Sequence, residues 1–119
     1  MHWQIKIVPE VREWLHGLRR SDRQTLSLVT AALDRLAEDG PGMGRPLVDT
    51  LRGSTIRNLK ELRPGSSGRS EVRLLFVFDP WRQAVFLVVG DKSADWDNWY
   101  DVAIKEAEAR FARHIEERK

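Results

Sequence analysis

The run QAVFLVV, residues 83–89, has no polar side chain after its first residue. A strand that is apolar on both faces belongs inside a sheet, with strands beside it and other elements covering both of its faces. The run before it, EVRLLFVF (71–78), is strand-like but mixed. Val72, Leu74, Phe76 and Phe78 form a core face, while Glu71 and Arg73 point the other way. Only DPWR separates the two runs, which is short enough for antiparallel neighbours. A third candidate strand, roughly residues 57–63, joins them through the turn PGSSG.

The N-terminal third supplies another strand and a helical hairpin to cover the sheet. WQIKIV (3–8) alternates, with Trp3, Ile5 and Ile7 on one side. Pro9 suits the first turn of a helix in which Val11, Trp14, Leu15 and Leu18 follow helical spacing. Ser21 and Gln24 form a capping-box signature for a second helix, whose stripe is Leu26, Val29, Leu33 and Leu36 and which Gly40 stops. Residues 40–55 are rich in glycine and proline and read as a long loop, a kind usually functional or mobile. A last helix, capped by Asp95 or Asp97, has an apolar stripe of Tyr100, Ile104, Ala107 and Phe111. Its charged face carries Lys105, Glu106, Glu108, Arg110 and Arg113, with Glu106 and Arg110 a favourable i, i+4 pair. The expected order is β-α-α-β-β-β-α: one α+β domain over residues 1–119, with a small antiparallel sheet.

Several chemistries are excluded by composition. The chain has no cysteine, hence no disulfide, thiol nucleophile or cysteine-built zinc site. Its three histidines (His2, His16, His114) lie in different elements without E-x-x-H spacing, so no metal site is expected. GMGRP lacks the lysine and hydroxyl residue of a P-loop, so neither nucleotide nor other cofactor is expected. No apolar run reaches signal-peptide or membrane-span length, which implies a cytoplasmic protein with no membrane partner. The net charge is only +2, yet Arg45, Arg52, Arg57, Lys60, Arg63, Arg69 and Arg73 face just Asp49, Glu61 and Glu71 in the stretch they span. Local positive potential of this kind attracts polyanions.

Two accounts of these charges compete. Glu61 opposite Arg73 and Arg63 opposite Glu71 would make a cross-strand salt-bridge ladder on a wet face, worth a few tenths of a kcal/mol per pair. Lys92, directly after the central strand in VVGDKS, offers the other. A concave sheet carrying Arg63, Arg73 and Lys92 can hold a phosphodiester: arginine neutralises charge building on the phosphate, and lysine stabilises the leaving oxygen. Glu61 can orient a basic residue or take a proton from a 2′-hydroxyl. Among the tryptophans, Trp3 and Trp14 fit core stripes. Trp81, Trp96 and Trp99 are the ones that can be exposed for RNA or for a protein partner.

The order of elements, with NLKELRP, GRSEVRLLFVFD, AVFLVVGDKS and the closing helix IKEAEARFARHIEE, resembles the RelE/ParE superfamily of toxin–antitoxin toxins. Within it the phage-type, HigB-like branch is most similar, and the likeness covers most of the chain from Trp3 onward. It implies a ribosome-dependent, metal-free mRNA endoribonuclease that uses the RNA's own 2′-hydroxyl as nucleophile. It also implies restraint by a cognate antitoxin, of the helix-turn-helix kind. The positions that carry over are Glu61, Arg63, Arg73 and Lys92, with Lys60, Arg57 and Arg69 as RNA contacts. Lys60 stands where related toxins have an aromatic residue, Val72 where they have tyrosine, and Asp91-Lys92 where they have a lysine pair. A ParE-like gyrase poison and a non-catalytic binding module are the alternatives on this scaffold.

Overall fold

The run apolar on both faces becomes the longest strand of a five-stranded sheet in the computed structural model, which describes residues 2–65, 68–96 and 98–119. The elements are β1 (Gln4–Ile7), α1 (Pro9–Ser21), α2 (Arg23–Asp39), β2 (Val48–Thr50), β3 (Lys60–Leu62), β4 (Val72–Phe78), β5 (Gln83–Asp91) and α3 (Trp99–Glu117). Short 3-10 turns follow α2 (Gly40–Gly42) and β5 (Lys92–Ala94). The sheet order is β1-β5-β4-β3-β2, so β4 and β5 both lie inside. Leu74, Leu75, Phe76, Val77 and Ala84, Val85, Phe86, Leu87, Val88 are all at most 3% exposed, which requires cover on both faces. That cover comes from α1 packed on β5 and α3 packed on β5 and β4.

The α+β class is as expected, but the sheet is mixed and has one strand more. β1 runs parallel to β5 while the other pairs are antiparallel. The helical hairpin and three strands separate β1 from β5, so no tight turn imposes an antiparallel pairing. The extra strand, β2, lies inside the glycine-proline segment. It sets Val48 against Leu62 and caps the otherwise open edge of β3. The single core face expected for β4 gives way to burial on both faces, with a register shift between Leu75 and Phe76.

Register is also where the ladder expectation fails. Glu61 lies opposite Leu75 and Leu62 opposite Leu74, so neither Glu61–Arg73 nor Arg63–Glu71 is a cross-strand pair. The ion pairs run along each strand instead: Arg63 with Glu61 at 2.8 Å, and Arg73 with Glu71 at 3.1 Å. The buried cross-strand pair Leu62–Leu74 fixes this register, because a one-residue slip would exchange the faces of Leu62 and of Glu61 with its ion-paired Arg63.

Local corrections have similar causes. Ser21 closes α1, and α2 is capped by Asp22, whose carboxylate accepts from the Thr25 amide and hydroxyl. The buried stripe of α2 is accordingly Thr25, Val29, Ala32 and Leu36, with Leu26 and Leu33 only half-buried. In α3 the buried positions are Ala103, Ala107 and His114. Arg110, assigned to the charged face, keeps the expected pair with Glu106 at 3.3 Å and also reaches the sheet, where it donates to the Leu87 carbonyl. Asn98 occupies the N-cap position, Asp95 contributes only its carbonyl to Trp99 N–H, and Asp97 lies outside the described residues. Among the described residues no helix is long and apolar enough to cross a membrane.

Three carboxylates pin α3 and the turns. Glu108 accepts from the Ser54 hydroxyl and from the amide and hydroxyl of Thr55, tying the β2–β3 loop to the helix. Asp79 accepts from the Trp81 and Gln83 amides, the Gln83 side chain and His114 Nε2, closing the β4–β5 turn. Glu10 takes two 2.8 Å bonds from Arg113, joining α3 to α1.

Removing Asp79 orphans a buried histidine and two turn amides, so Asp79→Ala should cost about 2–4 kcal/mol in urea unfolding; a loss below about 0.5 kcal/mol would contradict the network. The Arg113 bond, followed by the Glu10 backbone contact, lowers the Glu10 carboxyl from 4.5 to about 2. A depressed carboxylate contributes stability above its unfolded value, and that contribution is lost as pH falls from 4.5 toward about 2. Wild type should therefore lose more stability across this window than Glu10→Gln, with a smaller gap at high salt because the pair is partly exposed. Identical acid limbs would assign the loss to other carboxylates.

Candidate active site

β3 has only three residues, and alternation places Glu61 and Arg63 on one side of it with Lys60 and Leu62 on the other. Glu61 is completely buried. One of its oxygens accepts from Arg63 Nε at 2.8 Å, and the other accepts from the hydroxyl of Tyr100 in the first turn of α3. Arg63 Nη2 then reaches Asp49 of β2 at 3.2 Å, and Asp49 also meets Arg45 at 3.3 Å. The bond to Glu61 and that carboxylate's charge outweigh burial and raise the Arg63 guanidinium above its ordinary value.

Lys92 arrives from the end of β5. It is 9% exposed, and its Nζ lies 3.4 Å from the Tyr100 hydroxyl, where it donates to the phenolic oxygen. The ammonium also sits 4.2 Å from the centre of the Trp96 ring. Burial, followed by the nearby Arg73 charge, holds its pKa below the usual lysine value. Lys92, Tyr100, Glu61, Arg63 and Asp49 thus form one continuous hydrogen-bonded chain over α3, β3 and β2.

Arg73 completes the cluster from β4. Its side chain is 13% exposed and donates to the Val72 carbonyl and to Glu71, while Nε is buried with no hydrogen-bond partner among the described residues. It lies opposite Gly90, where a Cβ would stand 2.7 Å from Trp99 Nε1. The missing side chain lets Trp99 close on the sheet and brings Tyr100 down to Glu61. Asp91, which replaces the first lysine of the expected pair, works as a brace. Its Oδ1 accepts from the amides of Glu71 and Ser93 and from the Ser93 hydroxyl. Burial raises its carboxyl, but these three donors more than offset that and hold it low.

The structure therefore brings together Glu61, Arg63, Arg73 and Lys92. Lys60 lies apart: its Nζ donates to Thr50 at 3.1 Å, and with Arg57, Asn58, Pro41 and Phe78 it lines a separate hollow of about 330 Å³. Arg69 is exposed beside the β3–β4 turn. His114 is buried against Asp79 near the opposite end of α3 from Tyr100, and His2 and His16 are exposed. No group of described residues has the ligand set for a metal ion. Tyr100 is the residue that sequence reasoning missed. It occupies the apolar stripe of α3 as expected, but a half-buried phenol also needs a partner for its hydroxyl, and that need was the available signal.

Burial, then the bond to Glu61 and that residue's charge, push the Tyr100 phenol up from 10.0 to about 12. The chain has a single tyrosine, so tyrosinate absorption reports this group alone. The wild-type midpoint should fall near 12 and move down toward 10.0 in Glu61→Gln. A wild-type midpoint at the ordinary value would show that the Tyr100–Glu61 bond is absent in solution.

Comparisons with known proteins give the chain its family. The model of the phage-derived Gp49-like protein family (DUF891) matches residues 13–112. The protein named "Putative toxin HigB2" from Mycobacterium tuberculosis (strain ATCC 25618 / H37Rv) is 56% identical over 108 residues, covering 91% of this chain and 52% of its own length. "Putative toxin HigB3" from the same strain is 43% identical over 106 residues, covering 89% of this chain and 88% of its own. The chain thus spans about half of the first relative and most of the second. No solved structure gives a significant match. With most of its length matched, the chain belongs to the phage-derived Gp49-like family and is a relative of proteins named as HigB toxins.

Proposed function

We propose that this chain is the toxin of a toxin–antitoxin system and cleaves mRNA on the ribosome, without metal, until a cognate antitoxin of the helix-turn-helix kind restrains it. The observation that carries the reading is the convergence of Arg63, Arg73 and Lys92 on Tyr100 and the buried Glu61. The names of the relatives support the toxin assignment.

The reaction is transesterification. The 2′-oxygen attacks the adjacent phosphorus, a new P–O2′ bond forms, the P–O5′ bond breaks, and the products are a 2′,3′-cyclic phosphate and a free 5′-hydroxyl. A proton leaves the 2′-oxygen and one arrives at the 5′-oxygen. Glu61 has no exposed surface, so RNA does not touch it. A proton from the 2′-hydroxyl reaches it through Tyr100, whose oxygen takes one proton as its own passes to Glu61. Lys92, whose pKa is lowered, supplies the proton to the departing oxygen. Arg73, with its unpartnered Nε, neutralises the charge that grows on the phosphate. Arg63 stays paired with Glu61 and Asp49 and acts as a positioning residue.

The test is induction of wild type beside Arg73→Ala and Lys92→Ala, with mapping of mRNA 5′ ends. Wild type should generate new internal ends and stop growth, and each variant should lower cutting by about 10²- to 10³-fold. Growth arrest with DNA breaks and no new mRNA ends would replace the nuclease reading with a gyrase poison. No effect of wild type on growth would leave a binding module.

A further inference from the structure

Trp96 is 55% exposed, more than any other aromatic side chain among the large hydrophobics left in solvent. An indole in water is unfavourable unless something covers it, and isolated apolar exposures are common. Trp96 is not isolated. The Lys92 ammonium lies 4.2 Å from its ring centre, and the same ammonium lies 5.2 Å from the ring of Tyr100. The three residues recur at fourth positions, so an exposed aromatic surface borders the one lysine of the catalytic cluster. Trp81 makes the contrast by its place: it is 39% exposed and meets the Arg118 guanidinium at 4.6 Å, but it lies near His114 and away from the cluster.

We propose that Trp96 is the stacking platform for the base beside the scissile phosphate. This deepens the ribonuclease reading above and rests on it. In a nucleotide the base is one ribose away from its phosphate, so a base lying on the open part of the Trp96 ring carries its phosphate to the Lys92 and Arg73 side chains. The Lys92 ammonium at the border of the ring can pair with the phosphate that accompanies a base, which a neutral apolar partner lacks. Stacking accepts every base through its π face, so this platform fixes the position of the nucleotide without selecting its identity. The ring has a second effect: its contact with Lys92 holds the ammonium at the mouth of the cluster until RNA arrives.

The experiment is induction of wild type, Trp96→Phe and Trp96→Ala, each with and without the antitoxin and with mRNA 5′ ends mapped, alongside the purified variants' unfolding temperatures. Trp96→Ala should lower cutting about tenfold to a hundredfold at an unchanged unfolding temperature, Trp96→Phe should recover part of that loss, and the antitoxin should still protect. Trp96→Ala should also lower the residual cutting of Lys92→Ala further, since a base contact is lost independently of the lysine; no further loss would mean that Trp96 acts only by holding Lys92, and would overturn the platform. Cutting by Trp96→Ala within about twofold of wild type overturns it as well, and if that variant also escapes the antitoxin, Trp96 belongs to the protein interface. Absence of new ends with wild type refutes the ribonuclease reading itself, which separates the two failures.

Discussion

A carboxylate with no exposed surface, Glu61, is the point around which this molecule is arranged. A lone buried charge is too costly to persist, so the neighbours of Glu61 are constrained to supply donors. Arg63 comes from the same strand and carries the connection on to Asp49 at the sheet edge. Tyr100 comes from α3, which fixes the height of that helix above the sheet. That height is possible only because Gly90 leaves room for Trp99. Lys92 then lies beside Tyr100 because the chain turns directly from β5 into the approach to α3. One buried oxygen pair thus locates β2, α3 and the cations together.

Much of this was legible in the chain. The apolar run of β5, the alternation of β1 and the helical spacing of Val11, Leu15 and Leu18 gave the elements their order, and the placement of Lys92 after β5 gave the site its cation. What escaped had definite physical causes. The parallel β1–β5 pairing joins segments remote in sequence, and no local pattern encodes the direction of such a pair. β2 has three residues amid glycine and proline, too few to show alternation. The β3–β4 register is chosen by which leucines are buried, and the turn alone leaves it open. Tyr100 hid because its ring obeys the helical stripe while its hydroxyl serves another purpose.

The two buried carboxylates at opposite ends of α3 differ in how fully their surroundings are paired. Asp79 is surrounded by four donors, and although burial raises its carboxyl, those donors hold it low. Its surroundings are saturated, and saturation makes a rigid joint. At the Glu61 end the same economy is deliberately incomplete: Arg73 Nε has no partner among the described residues, and Lys92 is held below its usual range. Perturbed and underpartnered groups gather where a ligand is to complete them.

The cluster is also electrically balanced. Arg63, Arg73 and Lys92 are met by Glu61, Glu71 and Asp49, so three cations face three carboxylates and little field escapes. Under the proposed reading, long-range attraction of a polyanion therefore has to originate in exposed arginines elsewhere on the surface: Arg45, Arg52, Arg57 and Arg69. On that reading capture and chemistry fall to different residues. Ionic strength would then act on the encounter rate through those arginines and leave the turnover of an already bound complex almost untouched. Arrival could then be slowed or hastened by exchanging surface arginines while the bonds around Glu61 stay as they are.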